Sequence, residues 1–289
     1  MHSNWVRYLR LAVAAVLLVA SSIATPLLAQ PKEETLEPID FGAQGSFGGT
    51  ITIRDVLSGD LEGTVWAESG GRRSVLLTRK GYAVAELQPA IFGGGKMLVV
   101  TWASGGKGKH VIPEVYRPVG GKLELVWGPF AETPLYEGEV SIEGKAPAQR
   151  LVLQEALVFH TFVPPHVTKT TTYVWKQGAL TLAQSSYSEA TTPHQLANLA
   201  YERFRAGEYK RSLRLYLEAL EKGDFREDPE LAAALDFAVA AGFSKLGDLR
   251  QQRLYLKKVT DNYPDTSYAQ RAADKLLKMK AVEPGRKRP

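Results

Sequence analysis

At Thr191-Thr192-Pro193 the spacing of apolar residues changes, from alternation in short runs punctuated by Gly and Pro to recurrence every three or four positions. A strand sends neighbouring side chains to opposite faces, whereas a helix gathers every third and fourth residue on one face, so the two halves cannot share one regular layer. The sequence therefore predicts an α+β multidomain chain, with an all-β domain over 39–190 followed by an all-α domain over 191–281. Charge divides at the same place. Residues 30–190 hold 15 Lys and Arg against 17 Asp and Glu, or −2, and residues 191–289 hold 19 against 14, or +5. With 289 residues, 44% of them hydrophobic and 23% charged, the chain has apolar side chains enough for a core in each half.

The first 29 residues form a separate segment. Arg7 and Arg10 precede a wholly apolar stretch, LAVAAVLLVA, and small residues near Ala24 and Ala29 offer cleavage points. That order predicts a secretory signal over 1–29, a linker over 30–38, and an exported protein, periplasmic or extracellular. The alternative is an uncleaved membrane anchor, because Leu11 to Ala29 approaches the length that crosses a bilayer. There is no cysteine, which removes thiol nucleophiles, disulfides and Cys-ligated metals. Without the leader the net charge is too small to suggest nucleic acid as a partner.

Within the β half, three pieces read as one hairpin repeated: VLLTRKGYAVAEL (75–87), VYRPVGGKLELVW (115–127) and TYVWKQGALTLAQ (172–184), with turns at Gly81, Gly121 and Gly178. Each follows another apolar run, so the unit is three or four strands long. The pattern weakly resembles the blades of β-propeller repeat proteins. Closed propellers use 4 to 8 blades, and this segment offers three units, so the expected architecture is an open sheet, a sandwich or a partial propeller.

Catalytic patterns are sparse. Glycines in GGGKM (93–97) and GGKGKH (105–110) lack the spacing of a phosphate loop, and Ser46 is not in a nucleophile elbow. Asp55, Asp60 and Glu62 fit a hairpin turn better than a calcium loop, and His160 with His166 lacks a third metal ligand. The sequence thus predicts no enzyme, no cofactor and no metal. A carbohydrate-binding or hydrolytic β domain is the alternative, with Trp66, Trp102, Trp127 and Trp175 as stacking platforms and Glu68, Glu124 and Glu139 as acid and base.

Beyond Pro193 five helices are expected: 193–206, one from Glu208, a third capped by Asp228, a fourth from Asp248 to Tyr263-Pro264, and a fifth beyond Asp265-Thr266. Short breaks recur at Gly207 and Gly247, a period of 40 residues. The copies carry Leu196, Leu199-Ala200, Phe204, Gly207-x-Tyr209, Tyr216 and Ala219-Leu220, then Ala240, Phe243, Gly247, Leu249 and Pro264. This resembles the tetratricopeptide repeat family, and NYPDTSYAQRAADKLLKMK resembles the last repeat of such proteins in the bacterial envelope. Ser212, Gln252 and Val259 depart from the family's small-residue pattern. The resemblance implies a concave face that binds a protein partner. It places Tyr201, Phe204 and Arg205 of the first repeat and Phe237 and Lys245 of the second on that face, beside His194, Ala197, Ala234, Ala241 and Ser244. The implied role is an exported, non-enzymatic adaptor. The ending over 282–289 reads as a basic disordered tail that could also touch anionic lipid.

Overall fold

The computed structural model describes residues 32–42, 45–55, 60–104, 110–128, 134–159, 166–225 and 227–281. The leader 1–29 and the tail 282–289 lie outside them. The β half is three antiparallel sheets in chain order. The first is β1 (Lys32–Asp40), β2 (Ser46–Asp55), β3 (Asp60–Ser69) and β4 (Arg72–Lys80). The second is β5 (Tyr82–Phe92), β6 (Gly95–Ser104), β7 (His110–Val119) and β8 (Lys122–Trp127), with a short β9 (Leu135–Tyr136) beside β7. The third is β10 (Glu139–Glu143), β11 (Arg150–Leu157), β12 (Val167–Lys176) and β13 (Ala179–Tyr187).

From Lys32 onward the expected linker 30–38 is strand β1 instead. Leu36 and Ile39 pack against the core, while Glu33, Glu34 and Glu37 sit on a sheet edge, where charge discourages further pairing. The repeated hairpin also needs correcting in its first copy. β7 pairs with β8 and β12 with β13, as the sequence suggests, but β4 and β5 belong to different sheets. Gly81 is the crossover between them, its amide donating to the Leu61 carbonyl. Apolar runs flanking a glycine look alike whether the chain folds back or crosses to a new layer. The true first copy is β3–β4, turning at Gly70-Gly71.

All three closing hairpins share one local design. Their two turn residues both take positive φ, at Gly70-Gly71, Gly120-Gly121 and Gln177-Gly178, the geometry that matches strand twist and favours glycine. Five residues past each turn, the register skips one residue, at Leu76, Val126 and Ala183. Such bulges twist an exposed edge.

The middle sheet is buried on both faces. Leu98, Val100 and Trp102 of β6 pack with Phe47 and Val65 of the first sheet, and Met97 and Val99 pack with Leu151 and Leu153 of the third. This explains why MLVV (97–100) is continuously apolar: a strand covered on both sides has no solvent face to alternate with. Between the first two sheets lies a buried carboxylate, Glu114. It accepts hydrogen bonds from Arg79 Nη2, from Trp102 Nε1 at 2.7 Å and from Tyr116 Oη at 2.7 Å.

Five helices follow: α1 (Pro193–Arg205), α2 (Tyr209–Lys222), α3 (Pro229–Lys245), α4 (Leu249–Asn262) and α5 (Ser267–Ala281). The Thr192 hydroxyl accepts from the Gln195 amide, and the Gln195 side chain accepts from the Thr192 amide, a reciprocal capping box that fixes where α1 begins. Asp228 and Asp248 cap α3 and α4 through the amides of Leu231 and Gln251. At the far ends of α1 and α3 the same closure appears twice. Gly207 and Gly247 take φ of 79° and 80°, and the next amides, Glu208 and Asp248, donate back to the carbonyls of Arg203 and Phe243. Ser212, fully buried on α2, donates from its hydroxyl to the Ala200 carbonyl at 2.7 Å and so ties α2 to α1.

Candidate functional site

Helix α1 rests against the third sheet. Lys169 of β12 donates to Glu202 of α1 at 2.7 Å and lies 3.2 Å from Glu155 of β11. Burial would lower the Lys169 pKa, but these two carboxylates outweigh it and hold the ammonium above its ordinary range. The Asn198 side-chain oxygen accepts from the Phe159 amide, the Gln195 side chain donates to the His166 carbonyl, and Arg203 stacks 4.3 Å above the Tyr187 ring. These contacts bring Phe159, just past β11, onto the helices.

There it opens a cleft of about 320 Å³ shared by α1, α3 and α5. Phe159 lies 5.7 Å from the Tyr201 ring and 5.4 Å from Tyr216, between ring centroids. Phe204 and Tyr201 line the α1 side, Ala234, Phe237 and Ala241 the α3 side, and Tyr268 and Arg271 the α5 side. Small residues on α3 make the hollow, since their side chains stop short of the aromatics that face them. Tyr216 forms part of its floor, and burial pushes its phenol far above the ordinary tyrosine pKa, so it stays neutral. A wider trough of about 640 Å³ follows the outer side of α2. It is lined by Lys210, Arg214, Glu218 and Glu221 with leucines between them, and among the described residues no aromatic side chain lines it. The cleft, with its rings converging from four helices and from the segment past β11, is the better-built recognition surface.

Of the residues expected to meet a partner, Tyr201, Phe204 and Phe237 meet in this cleft. Tyr201 is 38% exposed, whereas Phe237 is buried beneath Arg271 and Lys275. Arg205 is exposed one turn beyond Tyr201, 3.9 Å from Glu202. Lys245 lies elsewhere, its Nζ 5.7 Å over the Tyr209 ring. Ala197 and Ala234 are buried. Sequence reasoning missed Phe159, Tyr216, Tyr268 and Arg271. Tyr268 was within reach, because α5 carries it on the first turn of a third helix in the same series. Phe159 was not, since nothing local announces that a residue leaving β11 will touch a helix.

The tryptophans of the alternative reading are occupied. Trp102 is buried on Glu114, Trp66 lies under Arg73 at 4.0 Å, Trp175 stacks on Phe92 at 6.4 Å, and Trp127 meets Tyr173 edge-on. Glu68, Glu124 and Glu139 stand on three different sheets, and Glu68 pairs with Arg73 at 3.1 Å. His166 lies edge-on to Tyr136, and His160 and the side chains of Asp55 and Asp60 lie outside the described residues. Among the described residues no group of three or more His, Asp or Glu side chains is placed to hold a metal ion, and no helix is long and apolar enough to cross a membrane.

No protein family, curated protein or solved structure matches this chain.

Proposed function

We propose that the protein is an exported, non-enzymatic adaptor of the bacterial cell envelope that holds a protein partner in the α1–α3–α5 cleft. In this reading the helices are tetratricopeptide-like hairpins and the three stacked sheets are blades of a partial propeller. The observation that carries it is the convergence of Tyr201, Phe204, Phe237 and Tyr268 on one open hollow. Aromatic side chains of this kind dominate interface energetics once water is expelled, at about 2 kcal/mol or more for each anchor. The sheets brace the helices through Lys169 and Phe159 and supply one wall of the cleft.

The test is affinity capture from an envelope extract with the wild-type protein and with a Tyr201→Ala/Tyr268→Ala variant. Loss of a reproducible partner from the variant, with its helical circular dichroism retained, is the expected result. Equal recovery by both proteins sinks the assignment.

A further inference from the structure

Charges around the cleft are unevenly satisfied. The acids on the three helices that form it all have internal partners. Glu202 accepts from Lys169, Glu230 accepts from the Ser267 amide and hydroxyl, Asp236 accepts from Lys258, and Asp274 accepts from Gln270. The cations differ. Arg271 lies 4.8 Å over the Phe237 ring and 4.9 Å over Tyr268, and Lys275, one turn along α5, lies 5.6 Å over Phe237. Among the described residues, no carboxylate lies within ion-pair distance of either. Among the described residues, Arg271 is also the single charged residue lining the hollow.

A guanidinium stacked on rings keeps its N–H edge free, and that planar fork matches a carboxylate in two parallel hydrogen bonds. Stacking also fixes the side chain beforehand, so less conformational entropy is lost when an anion arrives. Arg205, on the α1 side one turn beyond Tyr201, extends the same sign of charge.

We infer that the cleft takes an acidic segment of a partner protein. Its aromatic or aliphatic side chains fill the hollow between Tyr201 and Phe237, and its carboxylates are received by Arg271 and Lys275. This rests on the reading of the cleft as a partner surface and adds the chemistry of what enters it.

The experiment uses three synthetic peptides of equal length that share phenylalanine and leucine positions and carry glutamate, glutamine or lysine between them. Binding to the full protein is followed by fluorescence anisotropy of a label on the peptide. The glutamate peptide is expected to bind at least about tenfold tighter than the glutamine peptide, with the lysine peptide weakest, and its affinity should fall as salt is raised. An Arg271→Gln/Lys275→Gln variant, altered only at exposed positions, should bring the glutamate peptide down to the glutamine level. A glutamate preference that survives this variant overturns the assignment to Arg271 and Lys275. Equal binding of the glutamate and glutamine peptides, lost in Tyr201→Ala/Tyr268→Ala, overturns the charge proposal and leaves the cleft as a partner surface. Failure of all three to bind, or binding indifferent to Tyr201→Ala/Tyr268→Ala, overturns both.

Discussion

The two halves of this molecule hold themselves together by different means. In the helical half, order is mostly local: α1, α3 and α4 begin at their own capping side chains, the helices end at a glycine or loop, and each packs mainly on its neighbours in sequence. In the sheet half the decisive contacts join distant positions, since Glu114 of β7 holds Arg79 of β4, and β6 is covered by two separate sheets. The contrast separates two kinds of vulnerability. Damage to one helix acts mainly on its neighbours in sequence, whereas damage between sheets loosens two layers at once.

Glu114→Ala presses hardest on this difference. It leaves the Arg79 charge unpaired and the Trp102 and Tyr116 donors without their acceptor, so a cost of about 3–5 kcal/mol is expected. Denaturant titration followed in parallel by tryptophan emission and by circular dichroism at 222 nm measures it. All the tryptophans among the described residues are in the sheets, so emission should shift to lower denaturant ahead of the helical signal. If both signals move together, the halves unfold as one unit and the contrast fails.

Gly48→Ala comes next. A Cβ there would stand 2.2 Å from Trp66 Cζ2, and Trp66 is held by its hydrogen bond to Thr50 and by Arg73 above it. Overpacking of this kind costs about 1–3 kcal/mol, and it should appear in the emission transition. Thr192→Ala removes one side of the α1 capping box and should cost about 1 kcal/mol. Because α1 also carries the contacts to the third sheet, a shift of the emission transition along with the helical one would locate that coupling at α1.

The smallest effect sharpens the comparison within the helices. Asp236 is fully buried on α3, and burial raises its pKa despite the hydrogen bond and charge of Lys258. The folded state therefore binds this proton more tightly than the unfolded state. Its stabilising contribution is complete below the unfolded value of 3.8 and is lost as pH rises through the folded value. Measured against Asp236→Asn, the wild type should gain relative stability as pH falls from neutrality toward 4. A flat difference across that range would remove the assignment of a raised carboxyl pKa.

The helices were legible because their signals are local. Thr192, Asp228 and Asp248 cap, Gly207 and Gly247 close, and the apolar stripe names the buried face, all within a few residues of each helix. The strands were legible as strands, and two of three closing hairpins as hairpins. The first was misplaced because the pairing of β4 with β3 rather than β5 is set by layers, not by the residues around Gly81. The cleft was half visible. Tyr201, Phe204 and Phe237 sit at helical spacing that a sequence displays, but Phe159 and Arg271 reach it from other elements.

By itself the sequence determined where order is helical and where it is extended, because caps, turns and periodicity act through the nearest few bonds. Which sheet covers which, that Glu114 is enclosed by Arg79, Trp102 and Tyr116, and that a residue leaving β11 walls a hollow among three helices were decided only by tertiary packing. Those arrangements depend on burying apolar area between segments far apart in the chain, and burial has no direction along the backbone from which it could be read.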